Sequence, residues 1–348
     1  MSAMRPVPVT LITGFLGSGK TTLLKRILAQ RPDVPIAVIE NEFGEVGVDD
    51  RLLGGLRNAE IVTLSGGCVC CTARDGFVHA LGALHEQRGA GTVDFERVLV
   101  ETTGLSGIVE LVRALARDQK VVAHYRLDAI VTIVDARHGG RQLDDFREAQ
   151  EQVAVADRIL MSKCDLVPDD EASRLRQRIA KLNAHAPIAR MHFGDTPIAD
   201  ILDVRRFDVE AALGLAECSS RVGPGHARRI GSFAVRASRP FDPARLDACL
   251  AAIIDLYGAD MLRYKGVLHL AGRAEQVIVQ GVQSLLQVEA GPLWPTHEAR
   301  QSVLVFIGRD LPIELFRSAL DRCLLGPPSS GRDRANACVE RERRRALA

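Results

Sequence analysis

In the first part of the chain, short unbroken apolar runs alternate with stretches where apolar residues recur every three or four positions. The runs are Val7–Thr13, Ile36–Glu40, Glu60–Leu64, Arg97–Glu101, Asp128–Val134, Arg158–Ser162 and Ile188–Met191, and they predict strands. Between most of them the periodic stretches predict helices, for instance Lys20–Gln30, Gly76–Gln87, Leu143–Ala156 and Asp169–Asn183. A strand that is apolar along its length is covered on both faces, as in a mostly parallel sheet flanked by helices. Right-handed crossovers then gather the loops at the strands' carboxyl ends along one edge, where ligands bind.

The pattern breaks at 217–231, where ECSSRVGPGHARRIG mixes Gly, Pro, Ser and basic residues without apolar periodicity and reads as a linker. Beyond it the pattern predicts a strand at Ser232–Ala237, a helix at Pro243–Tyr257 and strands at Val267–Ala271, Glu275–Val282 and Ser302–Ile307. A helix at Pro312–Cys323 completes this region. The expectation is an α/β domain over 1–216, a smaller α+β domain over 232–325, and a disordered polar tail over 326–348.

The composition fits that division. A length of 348 residues suggests about two domains. Hydrophobic residues are 47% and aromatic residues 4%, so the cores must be built from Leu, Val, Ile and Ala. Lys and Arg number 45 against 44 Asp and Glu, which excludes a uniformly basic nucleic-acid binder. No apolar run approaches the roughly 20 residues that span a bilayer, and the first residues lack the apolar core and cleavage site of a signal peptide. The expected protein is cytoplasmic and not membrane-bound, with oligomeric state left open and a homo-oligomer compatible. Of eight cysteines, Cys68, Cys70 and Cys71 are clustered and five are scattered. A disulfide framework would space them more evenly, so the cluster points to metal or redox chemistry.

Gly14-Phe15-Leu16-Gly17-Ser18-Gly19-Lys20-Thr21, followed by Thr22, fits G-x-x-x-x-G-K-[ST] in full, with a strand entering it and a helix leaving it. Glycines at these positions let backbone N–H groups turn inward around a phosphate, and the helix adds its positive end. Lys20 would reach the β- and γ-phosphates, and the Thr21 hydroxyl would bind Mg²⁺. A chance glycine-rich turn would not also carry strand, helix and Lys-Thr in register.

Two further segments extend this reading. Val98-Leu99-Val100-Glu101-Thr102-Thr103-Gly104 is a hydrophobic strand ending in an acid, with a glycine three residues on. Glu101 would hold Mg²⁺ through water, and the Gly104 amide would approach a γ-phosphate. Ser162-Lys163-Cys164-Asp165 ends another strand and approximates N-K-x-D, the guanine-reading motif of many P-loop GTPases. A carboxylate at Asp165 can accept the N1–H and N2–H₂ protons of guanine, which adenine does not offer. Ser162 replaces the Asn and removes one side-chain amide. The alternative is an ordinary Lys–Asp pair at a strand end.

The thiols lie in Ser65-Gly66-Gly67-Cys68-Val69-Cys70-Cys71-Thr72, between a strand and a helix. Three thiolates suit a tetrahedral, borderline-soft ion such as Zn²⁺ but leave one ligand position to fill. The alternatives are a redox pair read from Cys68 to Cys71, or small residues packed at a corner. Glu40-Asn41-Glu42-Phe43-Gly44-Glu45-Val46-Gly47-Val48-Asp49 follows the second strand, where P-loop GTPases place a switch. Acidic groups beside phosphates call for cations.

GFLGSGKTT, ENEFGEVGVD, GGCVCC, VETTG and SKCDL, in that order, resemble the CobW-like P-loop GTPases, relatives of the nickel-insertion and urease-accessory GTPases. LRYKGVLHLAG, VIVQGVQ, Trp294 and VFIGRDL resemble that family's C-terminal domain. The resemblance covers roughly residues 5–325. It implies GTP hydrolysis with Mg²⁺, coupled to delivery of a transition metal, most often zinc, to a client metalloprotein. It carries the nucleotide role onto Gly14 to Thr22, Lys163 and Asp165, and the metal role onto Cys68, Cys70, Cys71 and Glu40. Many members have a His-rich run between the domains, where this chain has His226 alone, which speaks against metal storage. Two other functions compete: an ATP-using enzyme with a structural thiol site, and a metal-responsive binding module for which nucleotide is only a folding ligand.

Overall fold

The structure is a computed structural model that describes residues 6–30, 34–41, 59–64, 72–104, 108–198, 201–202, 230–295 and 299–326. The chain divides into two compact units, Met1–Arg206 and Phe207–Ala348. The expected linker lies outside the described residues up to position 229, and the expected tail lies outside them from position 327.

Among the described residues the first unit has seven strands: β1 (Val7–Gly14), β2 (Ile36–Asn41), β3 (Ala59–Leu64), β4 (Arg97–Glu101), β5 (Tyr125–Asp135), β6 (Arg158–Ser162) and β7 (Ile188–Met191). They form one sheet in the order β3-β2-β4-β1-β5-β6-β7. Every pairing is parallel. Its helices are α1 (Lys20–Gln30), α2 (Thr72–Gly89), α3 (Ile108–Arg117), α4 (Gln119–His124), α5 (Gly139–Asp145), α6 (Arg147–Val155) and α7 (Asp169–Leu182). Leu23, Leu24, Ile27 and Leu28 fall on one side of α1 and pack on Ile12, Val38, Leu99 and Ile133 of the sheet. That packing buries the apolar stripe that made the helix legible. Because β4 is inserted between β1 and β2, the chain crosses from β1 to β2 on one side and returns from β4 past β1 to β5, so the direction of winding reverses between β4 and β1, the place where such sheets bind ligands at their carboxyl ends.

Two departures from the expected elements bear on this sheet. The single helix expected at Leu143–Ala156 is two, interrupted at Phe146, whose backbone is extended (φ −126°, ψ 122°). The break brings the Phe146 ring to 4.6 Å from that of Phe15. β5 is longer than its apolar run, and its added residues pair with Val7–Val9 before the register shifts between Val9 and Thr10. Near that shift, Arg97 Nη1 stands 2.7 Å from Asp128 Oδ2, with both side chains buried. Thr10 Oγ1 donates to the same carboxylate oxygen at 3.3 Å. The cluster ties β4, β1 and β5 together.

The second unit is a five-stranded antiparallel sheet in the order β11-β10-β9-β12-β8. Its elements are β8 (Ile230–Ala237), α8 (Pro243–Tyr257), β9 (Met261–Leu268), β10 (Glu275–Val282), β11 (Leu285–Leu293), β12 (Ser302–Arg309) and α9 (Ile313–Asp321). The α8 helix is capped by Asp242, whose Oδ1 accepts from Arg245 N at 2.9 Å, and Pro243 opens it. Leu246, Leu250 and Ile253 of α8 and Phe316 and Leu320 of α9 pack on Phe233, Tyr264, Val279 and Phe306. Among the described residues no helix is long and apolar enough to cross a membrane.

The buried pair generates a prediction. Asp128→Ala strands the Arg97 guanidinium in the core and is expected to cost about 3–5 kcal/mol, read as a lower urea midpoint. Combining Asp128→Leu with Arg97→Met should recover most of that loss. A single substitution costing under about 1 kcal/mol would show that the pair does not organise these three strands.

Candidate functional site

The chain turns out of β1 at Gly14, with φ at 143°, and a Cβ there would stand 2.3 Å from the carbonyl oxygen of Ile133 on β5. Only glycine fits that backbone against that neighbour. Gly17 (φ 71°) and Gly19 (φ 105°) also have positive φ, and α1 begins at Lys20. Lys20 is buried, and its Nζ donates to Gly14 O at 3.0 Å and to Phe15 O at 3.2 Å. The ammonium therefore spans the hollow of the loop. Burial pushes the Lys20 pKa below the usual lysine range, while the Glu101 carboxylate pulls the other way.

Thr21 Oγ1 donates to Glu101 Oε1 at 2.8 Å. The strand end carrying Glu101 is pinned to β1: Thr102 N donates to Ile12 O at 3.0 Å, and Thr102 Oγ1 donates to Thr13 Oγ1 at 2.9 Å. A hydroxyl and a carboxylate in contact beside the loop form a hard oxygen donor set, which fits Mg²⁺ sharing its shell with phosphate and water. Gly104 follows, buried, and a Cβ on it would lie 2.5 Å from Leu16 N. Its backbone therefore rests on the phosphate loop itself.

The end of β6 holds the loop from the other side. Ser162 Oγ donates to Ser18 O at 2.7 Å. Lys163, in the left-handed region at φ 56°, donates from Nζ to Gly17 O at 2.8 Å and to Asp135 Oδ2 at 2.7 Å. Asp135, buried at the end of β5, also accepts from Arg137 N at 2.8 Å and His138 N at 3.3 Å through Oδ1. Sequence reasoning missed Asp135, whose available signal was an acid ending a long buried strand. Ser162 replaces the expected amide with a hydroxyl anchored on the loop. Asp165 sits in a short 3₁₀ turn, Cys164–Leu166, partly open to solvent, with His192 Nε2 at 4.0 Å from its Oδ1. The structure thus brings Gly14, Gly17, Ser18, Gly19, Lys20, Thr21, Glu101, Gly104, Ser162 and Lys163 around one loop. Thr22 lies in the same first turn of α1, its carbonyl oxygen 2.9 Å from where a Cβ on Gly194 would be.

On the metal side, β2 places Glu40 level with Glu101 on β4 and with Thr63 on β3. The backbone thus sets the candidate metal ligand beside the candidate Mg²⁺ acid at the same sheet edge. β3 ends at Leu64, level with Asn41 of β2, and α2 begins at Thr72. The segment containing Cys68, Cys70 and Cys71 must join these two points, and it lies outside the described residues, as does Glu42–Asp49. Among the described residues no group of three or more His, Cys, Asp or Glu could hold a metal ion.

Comparison with known proteins yields two family matches. Residues 8–190 match the CobW/HypB/UreG nucleotide-binding domain, and residues 230–324 match the cobalamin synthesis protein cobW C-terminal domain. The zinc chaperone YjiA of Escherichia coli is 37% identical over 317 residues, covering 91% of this chain and 98% of its own. The zinc-regulated GTPase metalloprotein activator 1 of Schizosaccharomyces pombe is 36% identical over 216 residues, covering 60% of this chain and 52% of its own. The crystal structure of Zn(II)-bound YjiA GTPase from E. coli superposes with a TM-score of 0.69 at 33% identity, covering 92% of this chain and 99% of that one.

Ser162→Ala removes the 2.7 Å bond to the Ser18 carbonyl. It is expected to weaken nucleotide binding about 3–10-fold by calorimetry, the worth of one buried hydrogen bond, without changing which base is preferred. Unchanged affinity would show that the loop keeps its shape without the Ser162 hydroxyl.

Proposed function

Because the chain belongs to the CobW/HypB/UreG family and carries its CobW C-terminal domain, we propose that it is a GTP-hydrolysing metallochaperone. In this reading it binds zinc through Cys68, Cys70, Cys71 and Glu40 and passes it to a client metalloprotein in the cytoplasm. The single observation that carries this is the register that sets Glu40 beside Glu101, one strand from the phosphate loop. Metal ligand and hydrolytic site then share an edge, so a change in one is felt by the other. The names of its relatives, a zinc chaperone and a zinc-regulated GTPase, support the same cargo and nucleotide.

Backbone N–H groups from Gly14 to Thr22 cradle the phosphates, and Lys20 neutralises charge on the β- and γ-phosphates. Thr21 and Glu101 would hold Mg²⁺, which would supply charge stabilisation to the phosphoryl group when bound. Gly104 offers its amide to the γ-phosphate. Lys163 and Asp165 face the base, and Asp165 selects guanine. Catalysis rests on electrostatics and positioning, so intrinsic turnover is slow.

Multiple-turnover phosphate release from GTP, with ATP as competitor, tests this reading. GTP should be hydrolysed and excess ATP should compete poorly. Lys20→Ala should cut turnover by about 100-fold or more while leaving the melting temperature nearly unchanged. Parental turnover in that variant, or equal use of ATP, would overturn the assignment.

A further inference from the structure

Gln152 is a polar side chain fully buried in the middle of α6. Its backbone carbonyl accepts from Thr132 Oγ1 of β5 at 2.7 Å, which fixes this turn of α6 to the sheet. Its amide Nε2 donates to Gly104 O at 3.1 Å. Gly104 is also confined by the phosphate loop, since a Cβ there would lie 2.5 Å from Leu16 N. Upstream, Thr102 is bonded to β1 through both its backbone N–H and its hydroxyl. One glycine is therefore held at three points: by β1 through Thr102, by the phosphate loop, and by α6 through Gln152.

Burying an amide is costly unless it is hydrogen-bonded, and a hydrophobic side chain would fill the same place at less cost. The amide is spent on the peptide unit after Gly104, at the position where the chain would meet a γ-phosphate. A glycine peptide with free φ and ψ turns easily, and fixing its carbonyl removes that freedom.

Resting on the GTPase reading above, we propose that Gln152 is a positioning residue for hydrolysis. Pinned upstream through Thr102 and held at its carbonyl by Gln152, Gly104 loses its freedom in ψ and keeps one backbone position relative to the γ-phosphate. Gln152 thereby favours the triphosphate over the diphosphate and supports turnover without touching nucleotide. The diphosphate makes no use of Gly104, so its binding does not depend on Gln152.

That difference separates positioning from simple packing. Gln152→Met keeps length and removes the donor, and Gln152 borders a small cavity with Phe15, Gln142 and Leu143 that gives the new side chain room. Gln152→Leu removes the donor with a shorter apolar side chain. It reads the same ratio should the methionine variant not fold. In full-length protein, the affinities for GDP and for a non-hydrolysable GTP analogue are measured together with kcat and KM. GDP affinity should stay within about twofold, while analogue affinity and kcat fall about 3–10-fold, as for loss of one buried hydrogen bond. Equal losses for both nucleotides, or none for the analogue, would overturn the role of Gln152. Failure of the parent protein to turn over GTP would instead overturn the GTPase reading, with the affinity ratio still reporting on Gln152.

Discussion

Gly14 leaves β1 so close to β5 that a methyl group on it would stand 2.3 Å from the Ile133 carbonyl oxygen. This contact depends on β1 and β5 being hydrogen-bonded neighbours, with Gly14 level with Ile133. The buried Arg97–Asp128 pair, bonded to Thr10, secures the same strands further down the sheet. Once the loop starts there, its carbonyls are taken up one by one: Gly14 and Phe15 by Lys20, Gly17 by Lys163, Ser18 by Ser162. In a planar trans peptide the N–H points away from the C=O, so each captured oxygen fixes the direction of the following amide. The loop's capacity to hold an anion is thus set by groups from β6 and α1.

Charge is distributed to suit that purpose. Lys20 and Lys163 both donate to loop carbonyls, and Lys163 is also paired with the buried Asp135. Backbone carbonyls are weak partners for an ammonium compared with phosphate oxygens. A phosphate therefore draws Lys20 from a modest contact to a strong one, whereas Asp135 keeps Lys163 placed beside Gly17. Thr21 and Glu101 form a separate hard pair across the β1–β4 boundary. The nucleotide site needs every one of these positions at the carboxyl edge, and the strand order β2-β4-β1-β5-β6 supplies them.

Much of this was legible in the sequence because buried parallel strands are runs of Val, Ile and Leu. β4, β6 and β7 have the expected bounds, and β1 and β2 extend one residue further. The antiparallel unit was harder. β11, LLQVEAGPL, is an edge strand with Pro, Gly and Glu, and gave no strand pattern. β9 begins at Met261, but Arg263 and Lys265 interrupt its apolar run, and Arg263 is nonetheless buried. The motif residues stand out in the sequence because phosphate binding demands glycines and a lysine at fixed spacing. Asp135 and Gln152 do not, because they act on other residues, and such roles impose no spacing on the sequence. The thiol segment and the residues of ENEFG beyond Asn41 fall outside the described residues.

In the function proposed above, nucleotide and metal sites are coupled through this shared edge. Glu40 lies level with Glu101, and the thiol segment departs from the strand on its other side. If Glu40 completes a three-thiol zinc site, a γ-phosphate that draws in the chain after β2 alters the coordination of the ion. The direct measurement is zinc affinity in the presence of GDP and of a non-hydrolysable GTP analogue, repeated with Cys70→Ser and Cys71→Ser combined. Zinc affinities should differ by about 5–150-fold between the two nucleotides, with both tight binding and the difference lost in the double variant. Equal zinc affinity in the two nucleotide states would contradict that coupling, even if the thiols bind the metal tightly.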